Sequence, residues 1–280
     1  MVPRTFRSLV VAAIAISIAT FGCALERAEP PTAPVRVSLT DAPVANATSL
    51  QVTFGRIDLV PAGDDGDGIV SVTAEAGTID VLALRNGGLH AFGLVDVPTG
   101  TYTQVRVIVD EAVLVFGDDA YNVFVPSGAQ SGLKVTIEPP LVVTTGETTD
   151  VADVIIDFDV LRAIVETPPG SLSYLLVPTA IRAFTQAGSL TGRVVEAGPG
   201  ASHDGVGGAR IDVVDAVGTL ITATLSEANG SFAFITLHPG TYDVHVHHEG
   251  YQDAVVEGVT VTIGDVADID LVAITPAPIE

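Results

Sequence analysis

Beyond residue 24, apolar residues recur at every second position and never settle into a long, capped 3.6-residue pattern. Val35, Val37 and Leu39 alternate with Arg36, Ser38 and Thr40. Leu50, Val52 and Phe54 do the same, and the apolar phase then slips by one to Ile57 and Leu59 across Gly55. A glycine at a phase slip predicts a β-bulge. Val105, Val107 and Val109 form one inward face, and Val259, Val261 and Ile263 another. Val113–Phe116 and Tyr121–Val125 flank Gly117-Asp118-Asp119, which predicts a hairpin. Period two with frequent turn residues excludes α/β layers. The pattern predicts an all-β chain of two antiparallel β-sandwich domains in tandem, the second prealbumin-like or Ig-like, after a cleaved signal peptide.

The N-terminus predicts export. Arg4 and Arg7 precede Leu9–Ala19, an uncharged stretch too short to span a bilayer but suited to a signal core. Thr20-Phe21-Gly22 then leads into Cys23, the only cysteine. This segment resembles a bacterial lipobox, with Thr20 where leucine is usual. The resemblance implies a signal peptide over residues 1–22 and a lipid on Cys23; an ordinary secretory signal with a stray cysteine is the other reading. Residues 23–34 hold three prolines after Cys23 and are expected to be an extended tether. One cysteine excludes a disulfide framework within the chain.

Charge narrows the partners. The chain carries 34 acidic and 12 basic residues; without Arg4 and Arg7 the balance is 10 − 34 = −24. Such a surface repels phosphate polymers, so no nucleic-acid partner is expected. The expected partners are a membrane, through lipid on Cys23, and an extracellular glycan or a surface protein. Lys134 is the single lysine, so residues 188–280 have none and cannot form an internal Lys–Asn isopeptide staple.

Two resemblances follow from residue runs. Leu190-Thr191-Gly192-Arg193-Val194-Val195, Gly207-Gly208-Ala209-Arg210-Ile211, Asn229-Gly230-Ser231-Phe232-Ala233-Phe234, Leu237-His238-Pro239-Gly240-Thr241-Tyr242 and Gly250-Tyr251 resemble the carboxypeptidase regulatory-like domain. That resemblance implies a seven-stranded, carbohydrate-binding-like sandwich of accessory rather than catalytic character. Ser38-Leu39-Thr40-Asp41-Ala42-Pro43, Gly100–Arg106, Val125–Lys134 and Ile156-Asp157-Phe158-Asp159 resemble the bacterial lipoprotein domain of unknown function numbered 4382, which carries no activity to transfer. The expected boundaries are 35–187 and 188–275, with a tail at 276–280. A short echo links the two regions: Pro98-Thr99-Gly100-Thr101-Tyr102 and Pro239-Gly240-Thr241-Tyr242 are both turns entering a strand.

No Gly-x-Ser-x-Gly, no His-Glu-x-x-His and no strand-to-helix phosphate loop is present, so no enzyme is expected. Three clusters remain as candidate sites. Asp64, Asp65 and Asp67 lie in a Gly-rich turn, where hard oxygen ligands suit a weak Ca²⁺ site or simply a solvated loop. No other cofactor is expected. His245 and His247 share one strand face about 6.5–7 Å apart, a spacing open to zinc or copper or to a plain polar strip. Asp41, Gln104, Arg106, Asp157 and Asp159 interrupt apolar strands and suit either a ligand site or a structural ion-pair network. Sugar stacking has few rings to draw on: no tryptophan and five tyrosines, of which Tyr121, Tyr174 and Tyr251 are the free candidates. The function expected is a non-enzymatic, lipid-anchored cell-envelope protein, on an outer membrane or cell surface, presenting two sandwiches for binding, adhesion or envelope structure. A carbohydrate-binding module is the alternative, and a calcium-dependent adhesin a third.

Overall fold

The alternating segments all become strands in a computed structural model, which describes residues 30–42, 47–63, 68–72, 77–126, 131–145, 151–198 and 204–278. The expected signal peptide, Cys23 and the Asp64, Asp65 and Asp67 loop lie outside the described residues. The first half runs β1 (Thr32–Ala42), β2 (Ser49–Pro61), β3 (Val70–Ser71), β4 (Gly77–Asp80), β5 (His90–Pro98), β6 (Gly100–Phe116), β7 (Asp119–Phe124), β8 (Leu133–Val143), β9 (Ala152–Asp159), β10 (Ile164–Glu166), β11 (Tyr174–Leu176) and β12 (Ile181–Phe184). A single helical turn, α1 (Val160–Ala163), follows β9. The second half runs β13 (Gly188–Glu196), β14 (Arg210–Asp215), β15 (Leu220–Leu225), β16 (Ser231–Leu237), β17 (Gly240–His247), β18 (Ala254–Val261) and β19 (Val266–Ile274).

The first twelve strands form one continuous sheet in the order β10-β11-β7-β6-β8-β12-β9-β1-β5, with β2 joined along β6 and carrying β3 and β4. The long β6 serves both β2 and β8, so the sheet folds over on itself. Phe54 of β2 meets Phe158 of β9 edge-on at 5.9 Å and Phe92 at 5.1 Å, which marks where the two layers close. The second half stacks β16-β13-β19 against β15-β14-β17-β18. Each half has its own hydrophobic core, one centred on β1, β2, β6 and β9, the other on Leu190, Ile211, Phe232 and Val244. Most pairings are antiparallel; among the described strands β1·β9, β7·β11, β8·β12 and β13·β19 are parallel.

Local chemistry explains the turns and bends. At Gly55 the β2·β6 register shifts, and a Cβ there would come within 2.6 Å of the Asp110 carboxylate, which would have to move aside. Gly117 and Asp118 make the two-residue turn between β6 and β7, with Phe116 paired to Asp119. Two expectations shift. Thr32, Ala33 and Pro34, expected in the tether, belong to β1 and pair with Pro98, Val97 and Asp96 of β5. Pro34 is tolerated because β9 pairs with β1 only from Val35 onward, which leaves Pro34 a strand partner on the β5 side alone. Ile263 does not extend the inward face of Val259 and Val261; β18 ends at Val261 and Ile263 is exposed.

The sequence echo is a real structural repeat. Tyr102 donates its hydroxyl to the Pro98 carbonyl at 2.9 Å, and Tyr242 donates its own to the His238 carbonyl at 2.8 Å. Both rings are buried beside the glycine that opens the strand, Gly100 or Gly240. Each tyrosine pins a strand start by bonding four residues back, the corner device of Ig-like sandwiches. Tyr102→Phe and Tyr242→Phe should each cost about 1–2 kcal/mol, because a carbonyl loses its donor while the packing is kept. Urea unfolding measures this, and an unchanged midpoint in both variants would contradict the assignment.

Candidate functional site

The acidic residues that the sequence singled out meet where the two halves touch. Parallel pairing of β1 and β9 sets Thr40 beside Asp157, Asp41 beside Phe158 and Ala42 beside Asp159. Antiparallel pairing of β9 and β12 sets Arg182 beside Asp157. By alternation Asp157 belongs on the outer face, yet it is only 3% exposed, because β16 covers that face. Its carboxylate accepts from Arg182 Nη2 at 2.7 Å and from Thr236 Oγ1 of β16 at 2.9 Å. Asp159 is fully buried and caps α1, accepting from the Arg162 backbone N–H at 3.3 Å, with Arg162 Nη1 3.7 Å from the carboxylate. Arg162 Nη1 also reaches across to the Ile221 carbonyl at 2.7 Å. Asp41 accepts from the Val160 N–H at 3.4 Å.

Gln104 and Arg106 do not join this group. They lie on β6, separated from β9 by β8 and β12. At about 4.8 Å per strand that is roughly 14 Å of sheet. The space at the acidic seam is about 10 Å³, room for a single water. Among the described residues, the space that Asp41 and Asp157 line is therefore too small for a ligand.

One residue that the sequence reading passed over completes the seam. Asn86 follows a 3₁₀ turn over Val81–Leu84 and takes a left-handed conformation, φ 55°. Its amide nitrogen donates to Glu227 Oε1 at 2.6 Å and to the Leu225 carbonyl at 3.3 Å. Its amide oxygen accepts from Thr224 Oγ1 at 3.2 Å and the Ala233 N–H at 3.3 Å. Asn86 thus ties β15 and β16, which belong to the two different sheets of the second sandwich, to the first. Arg85 adds an ion pair to Glu227 at 3.2 Å, and Thr40 Oγ1 closes the turn by donating to the Gly88 carbonyl at 2.9 Å. The available signal was the dipeptide Asn86-Gly87, a turn pair that tolerates positive φ. From Pro31 onward the chain forms one compact unit.

The remaining candidates are placed as follows. His245 and His247 stand side by side on β17, rings 6.3 Å apart. His247 Nδ1 contacts Asp253 at 2.9 Å. Across the strand pair, Asp212 faces His245 but is held by Arg210 at 2.7 Å, and Arg210 itself faces His247. A guanidinium opposite the imidazoles disfavours a bound cation. Among the described residues no group of three or more His, Cys, Asp or Glu is placed to hold a metal ion. The tyrosines are engaged within the fold: Tyr102 and Tyr242 in their corners, and Tyr251 donating to Glu196 at 2.9 Å. Tyr121 and Tyr174, 5.6 Å apart, pack on each other and on Phe116.

Residues 32–178 match the model of a family described as a domain of unknown function, DUF4382. The chain belongs to that family. Behind the DUF4382 domain, residues 189–273 match a carboxypeptidase regulatory-like domain. No curated protein matches the chain. Among solved structures, a type II cohesin–X-dockerin complex from Acetivibrio cellulolyticus aligns at 18% identity over 32% of this chain, which spans 58% of that one, with a TM-score of 0.27. The minor pilin of Streptococcus agalactiae aligns at 10% identity over 88% of this chain and 98% of its own, TM-score 0.28. A shaft pilin from Lactobacillus rhamnosus GG aligns at 13% identity over 89% and 99%, TM-score 0.26. At these scores the likenesses carry no functional inference for the DUF4382 protein.

Burial, and then the nearby charge of Asp157, push the Asp159 carboxyl up to about 6 from its ordinary 3.8, against the pull of Arg182 and Arg162. A raised carboxyl pKa means that the folded state binds the proton more tightly. The destabilising cost of ionised Asp159 is therefore present above pH 6 and is relieved as pH falls from about 6 to about 3.8. The stability of the wild type relative to Asp159→Asn should rise as pH falls through that window. Urea titrations at several pH values measure it, and a pH-independent difference would contradict it. For the seam, Asn86→Ala removes four hydrogen bonds and puts alanine at positive φ, at a cost of about 2 kcal/mol or more. Calorimetry should show the endotherm of the unit broaden and split toward two transitions; a single sharp transition at the wild-type midpoint would contradict the role.

Proposed function

We propose that this DUF4382 protein is a non-enzymatic, lipid-anchored protein of the bacterial cell envelope. It presents two β-sandwiches as one stiff body, for binding, adhesion or envelope structure at the surface. The observation that carries this reading is the polar seam. Asp157–Arg182–Thr236 and the Asn86 plug spend buried and part-buried hydrogen-bonded groups on holding the sandwiches together, and only Thr185–Ala187 separate β12 from β13. Linked domains move relative to one another by default, so a bonded seam favours a presented surface over a hinged cleft.

The anchor rests on the sequence. Arg4, Arg7, the apolar Leu9–Ala19 and Gly22-Cys23 support diacylation of Cys23, and the acidic surface gives the protein no affinity of its own for an anionic membrane. The second half adds the carboxypeptidase regulatory-like match, a domain type of accessory character. The glycan-binding alternative is less well supported, because the chain has no tryptophan and its five tyrosines already pack or bond within the fold.

Cell fractionation tests the anchor. Wild type should partition with membrane and into detergent, and Cys23→Ser should move to the soluble envelope or the medium. Retention of Cys23→Ser on membranes would contradict lipid anchoring.

A further inference from the structure

Cations are scarce in this chain, and where they go is informative. The described residues include nine lysines and arginines. Six of them, Arg36, Arg56, Arg85, Arg162, Arg182 and Arg210, lie 2.7–3.7 Å from an acidic partner. Arg193 donates to the Asn229 carbonyl at 2.8 Å. The remaining two, Arg106 and Lys134, make no ion pair or side-chain hydrogen bond among the described residues. They are directly opposite each other on β6 and β8.

Directly opposed residues share a face, with Cβ atoms about 5 Å apart, and like charges there repel. Arg106 Nε is buried and donates to nothing. On its other flank Arg106 faces Asp58, but that carboxylate is engaged by Arg56 Nε at 2.9 Å. Beside Lys134 lies a cavity of about 320 Å³, bordered by Thr136, Arg182 and His238. Arg182 is committed to Asp157, and burial lowers the pKa of His238, so the imidazole is neutral at pH 7. Glu138 also borders the cavity, largely exposed and 3.8 Å from His238.

We propose that Arg106, Lys134 and the adjoining cavity bind an oxyanion, the carboxylate or sulfate of a ligand about the size of a monosaccharide. A guanidinium N–H and an ammonium on one face make a charge-assisted donor pair for such a group. Binding relieves the repulsion between the two cations. The cavity volume lies at the lower end of the range for small-molecule sites. The proposal does not depend on the lipid anchor, since both cations lie in the folded β-sheet.

The test is isothermal titration of sodium sulfate, and separately of sodium glucuronate, into the detergent-solubilised full chain, with ionic strength held constant by chloride. Saturable binding is expected for at least one of the two. Sulfate alone would point to a free oxyanion, and glucuronate alone to a sugar acid. Lys134→Ser and Arg106→Gln should each weaken binding by about tenfold. Arg36→Gln, which removes an exposed cation paired to Asp153 elsewhere, should leave it unchanged. Without added anion, Lys134→Ser should raise the thermal midpoint, since it removes one of two opposed like charges; that result also shows that the variant folds. No saturable binding of either salt, binding that survives both Lys134→Ser and Arg106→Gln, or a lowered midpoint for Lys134→Ser would each overturn the proposal.

Discussion

The Asp157 carboxylate holds the architecture together. It sits on β9, an inner strand of the first sandwich, and receives one charged and one neutral hydrogen bond, from Arg182 on β12 and Thr236 on β16. A carboxylate 3% exposed is tolerable only with such partners. Removing one partner of a buried pair typically costs about 3–5 kcal/mol, because the other charge stays buried. The second sandwich therefore cannot leave its place on β1, β9 and β12 without exposing or stranding Asp157. Asp159, two residues on, caps α1 and lies 3.7 Å from Arg162 Nη1, and Arg162 in turn bonds into β15. The joint between the halves is thus a set of polar bonds over a packed face, with Phe184 and His238 in ring contact at 4.8 Å beside it.

This joint shapes the electrostatics of the molecule. Most arginines are spent pinning an acid, several of them at the seam, and the surplus acid is left to the outer surfaces. A strongly acidic exterior stays hydrated and keeps copies of the chain apart. Against that background Arg106 and Lys134 stand out, because they are opposed like charges and neither makes an ion pair among the described residues.

The two sandwiches differ in topology but solve one local problem alike. Each must turn a chain from a Pro-containing loop into a long central strand, β6 or β17. In both, a tyrosine two residues into the strand swings back over a glycine to bond a carbonyl four residues earlier. Glycine is suited to the position because the ring passes close above it, 3.2 Å from a Cβ built on Gly240. The β6·β8 register shifts just after Tyr102, and beyond that shift Arg106 stands opposite Lys134.

Much was legible in the sequence, and the reason is periodicity. Val35, Val37 and Leu39, the slip at Gly55, the Gly117-Asp118 turn and the face of Tyr242, Val244 and Val246 follow from alternation and turn chemistry, which act over a few residues. The same local logic misplaced Ile263, since strand ends are set by partners rather than by pattern. It singled out Asp41, Asp157 and Asp159 as polar intruders but could not say what they met. Alternation fixes which side of a strand a residue takes; it cannot tell whether that side faces water or another sandwich. That decision belongs to the tertiary structure, which laid β16 over Asp157, brought Asn86 from a remote turn into the gap between two sheets, and left Gln104 and Arg106 three strands away. Contacts between residues 79 or 147 positions apart, such as Thr236 with Asp157 or Ala233 with Asn86, leave no periodic trace in the chain.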